Sequence, residues 1–447
     1  MNPSFLRELP NLIEEKIIDE ETAQRIRNYY LNKPSQRSNI LTSILTAAGA
    51  LLAGLGIILI IAHNWDNLGS VTKTVFAFLP LILGQALCFY AITKKKGNRI
   101  WGEASAIFLF CAVGAVIALI GQIYHIDGTL EGFLLTWILL TLPLVYIVPS
   151  RLTALLCICC ITWYASLNSD LYRSTRSDFW HYPVLMVLLA PFYYKEWKNN
   201  SSSNYFHFLN WFLVISILIS VDSMSTGSSS KFPIYGATYL AILSLFYWVG
   251  KGKIWRDRNV FTNPFRIAGT LGILVILLWW SYEEIWRSNG NLFSFRTDTD
   301  ETIWTNFRSL KYEALLYVSI IAFAVSAYLG IRNFFSENEK TFDPTGFTLI
   351  IWLIALMAGL PAGLFLINIW ILYCGIYFVR KGALKENFGI LNFGLIWIAI
   401  LAICRFFDDS IPFVVRGLFF LLTGIAFFAG NYILIKSRKA KKSSPLA

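Results

Sequence analysis

Uncharged apolar runs of about twenty residues, separated by short polar gaps, repeat along most of this chain. The first run covers 40–62 without a charge, enough at about 1.5 Å per residue to cross ~30 Å of hydrocarbon. Continuing the same reading predicts about fourteen membrane-spanning helices. They lie near 40–62, 72–92, 104–122, 131–149, 151–167, 180–195, 205–221, 233–250, 266–282, 312–331, 345–360, 361–379, 388–404 and 411–435. The sixth and seventh are short for a span, and the sixth, 180–195, is the one whose full crossing is least supported. The eleventh and twelfth meet at a tight Gly359-Leu360-Pro361-Ala362-Gly363 turn; together they have about twice the length that one crossing needs. The expected fold is all-α, a polytopic integral membrane helical bundle of about 14 transmembrane helices occupying 39–435.

Two pieces flank that domain. Residues 1–38 should form a cytosolic amphipathic helical hairpin, with Leu6, Leu9, Leu12 and Ile13 on one stripe and Ala23, Ile26, Tyr29 and Tyr30 on another. Asp19 suits the N-cap of its second helix, with Glu20 and Glu21 in the first turn, and Pro34 helps to stop it. Two short helices bury little alone, so residues 4–31 are expected to dock on the membrane domain, a second copy or a protein partner. Residues 436–447 form a basic cytosolic tail.

Charge orients the weave. Sorted by alternate gaps, about 28 of the 38 Lys and Arg fall on one side and about 10 on the other, the positive-inside bias of a cytoplasmic-type membrane. The rich gaps hold Lys94, Lys95, Lys96 and Arg99, then Arg151, Lys195 and Lys198, Lys251 to Arg266, Arg332 and Lys340, and Arg380, Lys381 and Lys385. Both termini are thereby expected on the cytoplasmic side, with the chain multi-pass. Dropping the short sixth span would reverse every later gap, which argues for keeping it. The Ser-rich stretch after the seventh span divides the spans into two sets of seven, a geometry that permits inverted halves. The halves show no convincing sequence similarity.

Composition closes off other classes. At 56% hydrophobic and 15% charged, with mean hydropathy +0.56, the chain is no ordinary soluble domain, where about 25% charged is usual. A net charge of +11 would suggest nucleic acid in a soluble protein; here it places basic loops against anionic membrane lipids, and no nucleic-acid partner is expected. The seven cysteines lie inside apolar runs and read as small packing residues, not as disulfides or a metal site. No metal or other cofactor is called for. The charged, acidic segment before the first apolar run is too long for a cleavable signal.

The parity of the spans brings several polar motifs to the outer face. These are His63, Asn64 and Asp66 after the first span, and Gln122, Tyr124, His125 and Asp127 after the third. Arg405, Asp408 and Asp409 follow the thirteenth. Imidazole with carboxylate can relay protons, act as acid and base or bind a divalent ion; each motif also reads as an interfacial anchor or helix end. Arg416 stands about a turn inside the last span, where a charge must snorkel or find a partner such as Asp408 or Asp409. Glu103 and Gln122, near opposite ends of the third span, could line a polar path. Glycines at 49, 54 and 56, and at 417, 424 and 430, are spaced for close helix packing.

The chain resembles a family of bacterial membrane proteins known as domain of unknown function 2157. The likeness rests on Leu9, Leu12, Ile13, Ile17, Ile18, Asp19, Glu21, Ala23, Ile26 and Tyr29 in the leading hairpin. It continues in Ile61-Ala62-His63-Asn64-Trp65, and in Gly121-Gln122-Ile123-Tyr124 followed by Trp137 and Pro143. It covers roughly the first 150 residues, with Arg405-Phe406-Phe407-Asp408 and Arg416-Gly417 as further matches. The resemblance implies a polytopic inner-membrane protein and supplies no activity. A carrier or transporter with a polar pocket toward the outer face fits best, since no P-loop is present to drive transport with ATP. The alternatives are a scaffold or sensor working through the hairpin, and an enzyme using an external His/Asp site on a lipid-linked substrate.

Overall fold

Every regular element among the described residues is helical. In a computed structural model of the protein, the described residues are 12–15, 19–25, 65–148, 150–167, 181–221, 223, 232–252, 255, 263–289, 314–335, 343–385, 387–407, 414, 417–418, 420–421, 424–425 and 428. Twelve helices of eleven residues or more stand where spans two to thirteen are expected. They are α1 (Ser70–Thr93), α2 (Arg99–Ile123), α3 (Leu130–Thr141), α4 (Arg151–Leu167), α5 (His181–Asn200) and α6 (Asn204–Ser220). The remainder are α7 (Phe232–Gly250), α8 (Pro264–Trp279), α9 (Ala314–Phe334), α10 (Thr348–Ala358), α11 (Ala362–Leu384) and α12 (Phe388–Phe406). The first expected span lies outside the described residues, as does most of the fourteenth.

Among the described residues, six segments are long and apolar enough to cross a membrane: α1, α2, Leu130–Ile147, Leu315–Asn333, α11 and α12. Five others, Arg151–Leu167, Asn204–Ser220, Tyr235–Gly250, Pro264–Trp279 and Pro344–Ala358, are apolar but shorter. Among the described residues, which leave out the first expected span and most of the fourteenth, six of the twelve helices thus meet the length and apolarity of a crossing, so the expected count of about fourteen is not reached there. α5, the sixth expected span, is in neither set; Lys195, Glu196 and Lys198 occupy its C-terminal end.

The chain divides into two compact units, Met1–Leu79 with Gln122–His125, and Pro80–Gly121 with Ile126–Ala447. In the first, helix 20–25 begins directly after Asp19, whose carbonyl accepts from Ala23 N at 3.0 Å. The Thr22 hydroxyl, chief among its hydrogen-bond partners, holds the Asp19 carboxyl below its ordinary pKa, as befits an N-cap. The same unit contains the Thr74 Oγ1–Tyr124 OH hydrogen bond of 3.0 Å and Lys73 Nζ over the Trp65 ring at 5.7 Å.

Helix starts in the second unit follow from their sequences. Thr129, Ser203, Asn263, Asp343 and Asn387 each accept a backbone N–H two or three residues on. Each such cap is worth about 1 kcal/mol. The turn between α10 and α11 needs Gly359, whose φ of 66° an L side chain rarely adopts.

Lipid tails are as apolar as leucine, so close packing, rather than water exclusion, must hold such helices together. Two large apolar cores result among the described residues, with a small third one around Leu391 and Leu395. One gathers Leu134, Ile138, Ile161, Leu185 and Phe206 from α3 to α6; the other gathers Leu240, Ile273, Trp352, Ile371 and Trp397 from α7, α8 and α10 to α12. Close backbone approaches are made at glycines the sequence did not single out, Gly394 and Gly269 among them. A Cβ on Gly394 of α12 would stand 2.6 Å from Val379 N of α11, and one on Gly269 of α8 would stand 2.6 Å from Tyr247 N of α7. At Gly417 and Gly424, expected to pack closely, a Cβ would meet no described atom within 4 Å; those at 49, 54, 56 and 430 lie outside the described residues.

Candidate functional site: a buried carboxylate between two lysines

α7 ends in Tyr247, Trp248 and, just past its last turn, Lys251. Asp343-Pro344 opens the short 3-10 helix that leads into α10, a start signal in which the carboxylate caps and the proline supplies a preset φ. The Asp343 Oδ1 accepts from Thr345 N at 3.3 Å, leaving Oδ2 free for other donors. Three converge on it: Lys251 Nζ, the Tyr247 hydroxyl at 2.6 Å and Lys381 Nζ of α11 at 3.5 Å. Lys381 also donates to the Tyr377 hydroxyl at 2.9 Å. The side chains of Lys251, Asp343 and Lys381 are only 10%, 3% and 9% exposed.

Aromatic faces complete the enclosure. Lys251 Nζ lies 5.1 Å from the Trp248 ring centroid and 5.3 Å from that of Tyr247; Lys381 Nζ lies 5.2 Å from Tyr377. Such cation–π contacts recover part of the hydration that buried ammonium groups lose. Thr345 Oγ1 and Trp248 Nε1 are buried beside the cluster with no hydrogen-bond partner among the described residues. Sequence reasoning passed over this group, reading Lys251 and Lys381 only as topology markers. The available signal was Asp-Pro-Thr placed directly before an uncharged run.

Burial alone would raise the Asp343 pKa. The charges of Lys251 and Lys381, with hydrogen bonds from Lys251 and Tyr247, outweigh it and hold the carboxyl well below the usual carboxylate range. A group lowered on folding adds stability above its unfolded pKa of about 4 and loses it as pH falls toward the folded value. Thermal midpoints of the detergent-solubilised protein should therefore fall below about pH 4, and less steeply in Asp343→Asn than in wild type. Equal acid slopes would remove Asp343 from the effect.

Another buried charge sits on α12. Arg405, at the C-terminal end of α12, is 6% exposed; it donates to Ser281 Oγ at 2.9 Å and lies 4.5 Å from the Tyr282 ring centroid, just beyond α8. Asp408 and Asp409, which follow it, lie outside the described residues. Glu103 has a capping role: its carboxylate accepts from Ser150 Oγ at 2.6 Å and from Arg151 N and Leu152 N at 2.9 and 3.0 Å, at the start of α4. Those backbone donors are the ones a helix start leaves open. Arg151 in turn pairs with Glu196 of α5 at 2.8 Å.

The other sequence candidates are placed as follows. Gln122, Tyr124, His125 and Asp127 are exposed at and just beyond the end of α2. His125 has φ 51°, and Ile126 N bonds back to Gly121 O at 2.9 Å, the pattern of a helix-ending Schellman turn in which glycine is commoner. Asp66 lies in a 3-10 turn, Trp65–Asn67, and its side chain is not among the described ones. His63, Asn64 and Arg416 lie outside the described residues. Among the described residues, no three His, Cys, Asp or Glu side chains are grouped so that they could hold a metal ion.

Apolar helices long enough to cross a bilayer, packed through glycine contacts and enclosing paired charges, define a helical membrane protein. Residues 10–154 match the family described as Predicted membrane protein (DUF2157), in agreement with the resemblance drawn from the hairpin, Ala-His-Asn-Trp and Gly-Gln-Ile-Tyr. No curated protein and no solved structure matches the chain.

Proposed function

We propose that the protein is a carrier of the bacterial cytoplasmic membrane, crossing it about fourteen times with both ends in the cytosol, and that the Lys251–Asp343–Lys381 cluster is its moving part. The observation that carries this reading is one buried carboxylate shared by ammonium groups from α7 and α11. Burying ionisable groups inside a helical bundle is costly, which makes this cluster a candidate for function. One carboxylate with two competing lysines is also a two-state element, because a proton or a cation arriving at Asp343 would release either helix. The charge bias of the loops puts this cluster at the cytosolic end and Arg405 at the outer end of one helix set. Gln122, Tyr124, His125 and Asp127 belong by the same parity to the outer side, with His63, Asn64, Asp66, Asp408, Asp409 and Arg416. The hairpin 1–38 is proposed as a docking element for the membrane domain, a second copy or a partner.

Cys374 provides the test. It is fully buried on α11, between Trp370 and the Tyr377–Lys381 pair. A membrane-impermeant maleimide, applied to vesicles of each orientation and read peptide by peptide, should label Cys374 slowly from one face. The rate should rise when Lys251→Gln loosens the cluster. A cysteine that stays unlabelled from both faces, in wild type and variant alike, would mean a rigid core and would exclude a carrier working through this group.

A further inference from the structure

We infer that a pocket between α4, α5 and α6 holds one acyl chain of an anionic membrane phospholipid, with its headgroup at the C-terminal end of α5. The pocket encloses about 170 Å³ and is lined by apolar side chains apart from the Tyr193 phenol. Ala154, Ile158 and Leu209 are buried at its back, while Ala190 is exposed and Met186 half-buried at its mouth. The mouth therefore opens on the surface where α5 exposes Val184, Val187 and Leu188, a face that a bilayer covers with lipid tails. Ala190-Pro191 leaves a gap in that face where larger side chains would fill it.

The end of the pocket is closed against water. Tyr193 donates its hydroxyl to Asn210 Oδ1 at 2.8 Å, and one turn further Arg151 and Glu196 neutralise each other. An ionic ligand has no unpaired charge to meet inside. At the surface the chemistry changes. Tyr194 and Trp197 are exposed, their rings 5.8 Å apart, as interfacial aromatics are. Lys195 and Lys198 beside them are exposed and make no ion pair among the described residues. An apolar slot whose lining reaches Tyr193, on a helix that carries two exposed aromatic rings and two exposed lysines within its next two turns, matches a lipid tail followed by its phosphate.

The test uses the full chain in vesicles of phosphatidylglycerol or of phosphatidylcholine, each carrying a diazirine in one acyl chain. After photolysis, the phosphatidylglycerol probe should modify peptides spanning 186–193 and 209–213 several-fold more than the phosphatidylcholine probe does. Ala190→Phe, at an exposed position, should abolish those adducts while leaving adducts near the exposed Phe365 of α11 unchanged. Lys195→Gln with Lys198→Gln should reduce the phosphatidylglycerol signal to the phosphatidylcholine level. Equal modification by both lipids, adducts that survive Ala190→Phe, or pocket peptides that no lipid reaches because a second copy or partner covers them would each overturn the assignment.

Discussion

Asp343→Ala is expected to destabilise the protein by about 3–5 kcal/mol, the range for removing one partner of a buried ion pair. Removing the carboxylate strips Lys251 and Lys381 of a shared counter-charge at 10% and 9% exposure, where solvent cannot replace it. Tyr247 loses its acceptor and Thr345 N its cap in the same step. Against a typical net stability of about 5–15 kcal/mol, such a loss should be visible as a large drop in the temperature at which the solubilised protein leaves its gel-filtration peak. The triple change Asp343→Leu, Lys251→Met and Lys381→Met should recover most of that drop, because well-packed apolar groups often replace buried charges without cost. Recovered stability with lost Cys374 labelling would separate the cluster's mechanical role from its structural one. A midpoint unchanged in Asp343→Ala would mean that the lysines find other partners and that the carboxylate is not their anchor.

Gly394→Leu should cost about 3 kcal/mol, toward the upper end for overpacked cores. Its Cβ would stand 2.6 Å from Val379 N, 2.8 Å from Gly375 O and 2.9 Å from Phe378 Cβ, so two of the three obstacles are backbone. No rotamer relieves such a clash; α11 and α12 must separate. In lipid, separation forfeits dispersion contacts without a compensating hydrophobic term. Gly128→Ala is the control, since nothing lies within 4 Å of a Cβ there, and it should shift stability by less than about 0.5 kcal/mol. Matching midpoints for the two variants would mean that the α11–α12 contact yields more readily than its geometry allows.

What the sequence made legible was periodic and local. Uninterrupted apolarity located α1 to α12, and Asp19 was recognisable as a cap because a cap needs only the next three residues. His125 was read for its chemistry, whereas its backbone shows a helix terminator. The charge cluster was illegible for a different reason. Asp343 follows Glu337 and Glu339 in a polar stretch and resembles a solvated loop acid. Its burial is created by Lys251, 92 positions earlier, and Lys381, 38 positions later, and no local pattern encodes that meeting. The capping role of Glu103 was illegible for the same reason, because the helix it caps is not the helix it belongs to. Arg405 reaches Ser281 and Tyr282, more than a hundred positions earlier in the chain, another meeting that no local pattern encodes.

The unequal helix lengths have a consequence for the surrounding bilayer. α8 and α10, of 16 and 11 residues, are roughly 24 and 16 Å long, while α11, of 23, is roughly 35 Å. The short ones are not hidden, since Leu271, Val275 and Trp279 of α8 and Ile350, Ile354 and Met357 of α10 are exposed. Lipids against that flank must compress to meet them, and those against α11 must stretch or let it lean. On the proposed topology the bilayer would be thinner beside α8 and α10 than beside α11, shortening the path of a solute or a proton there. Membrane thickness would act on this molecule through those two helices.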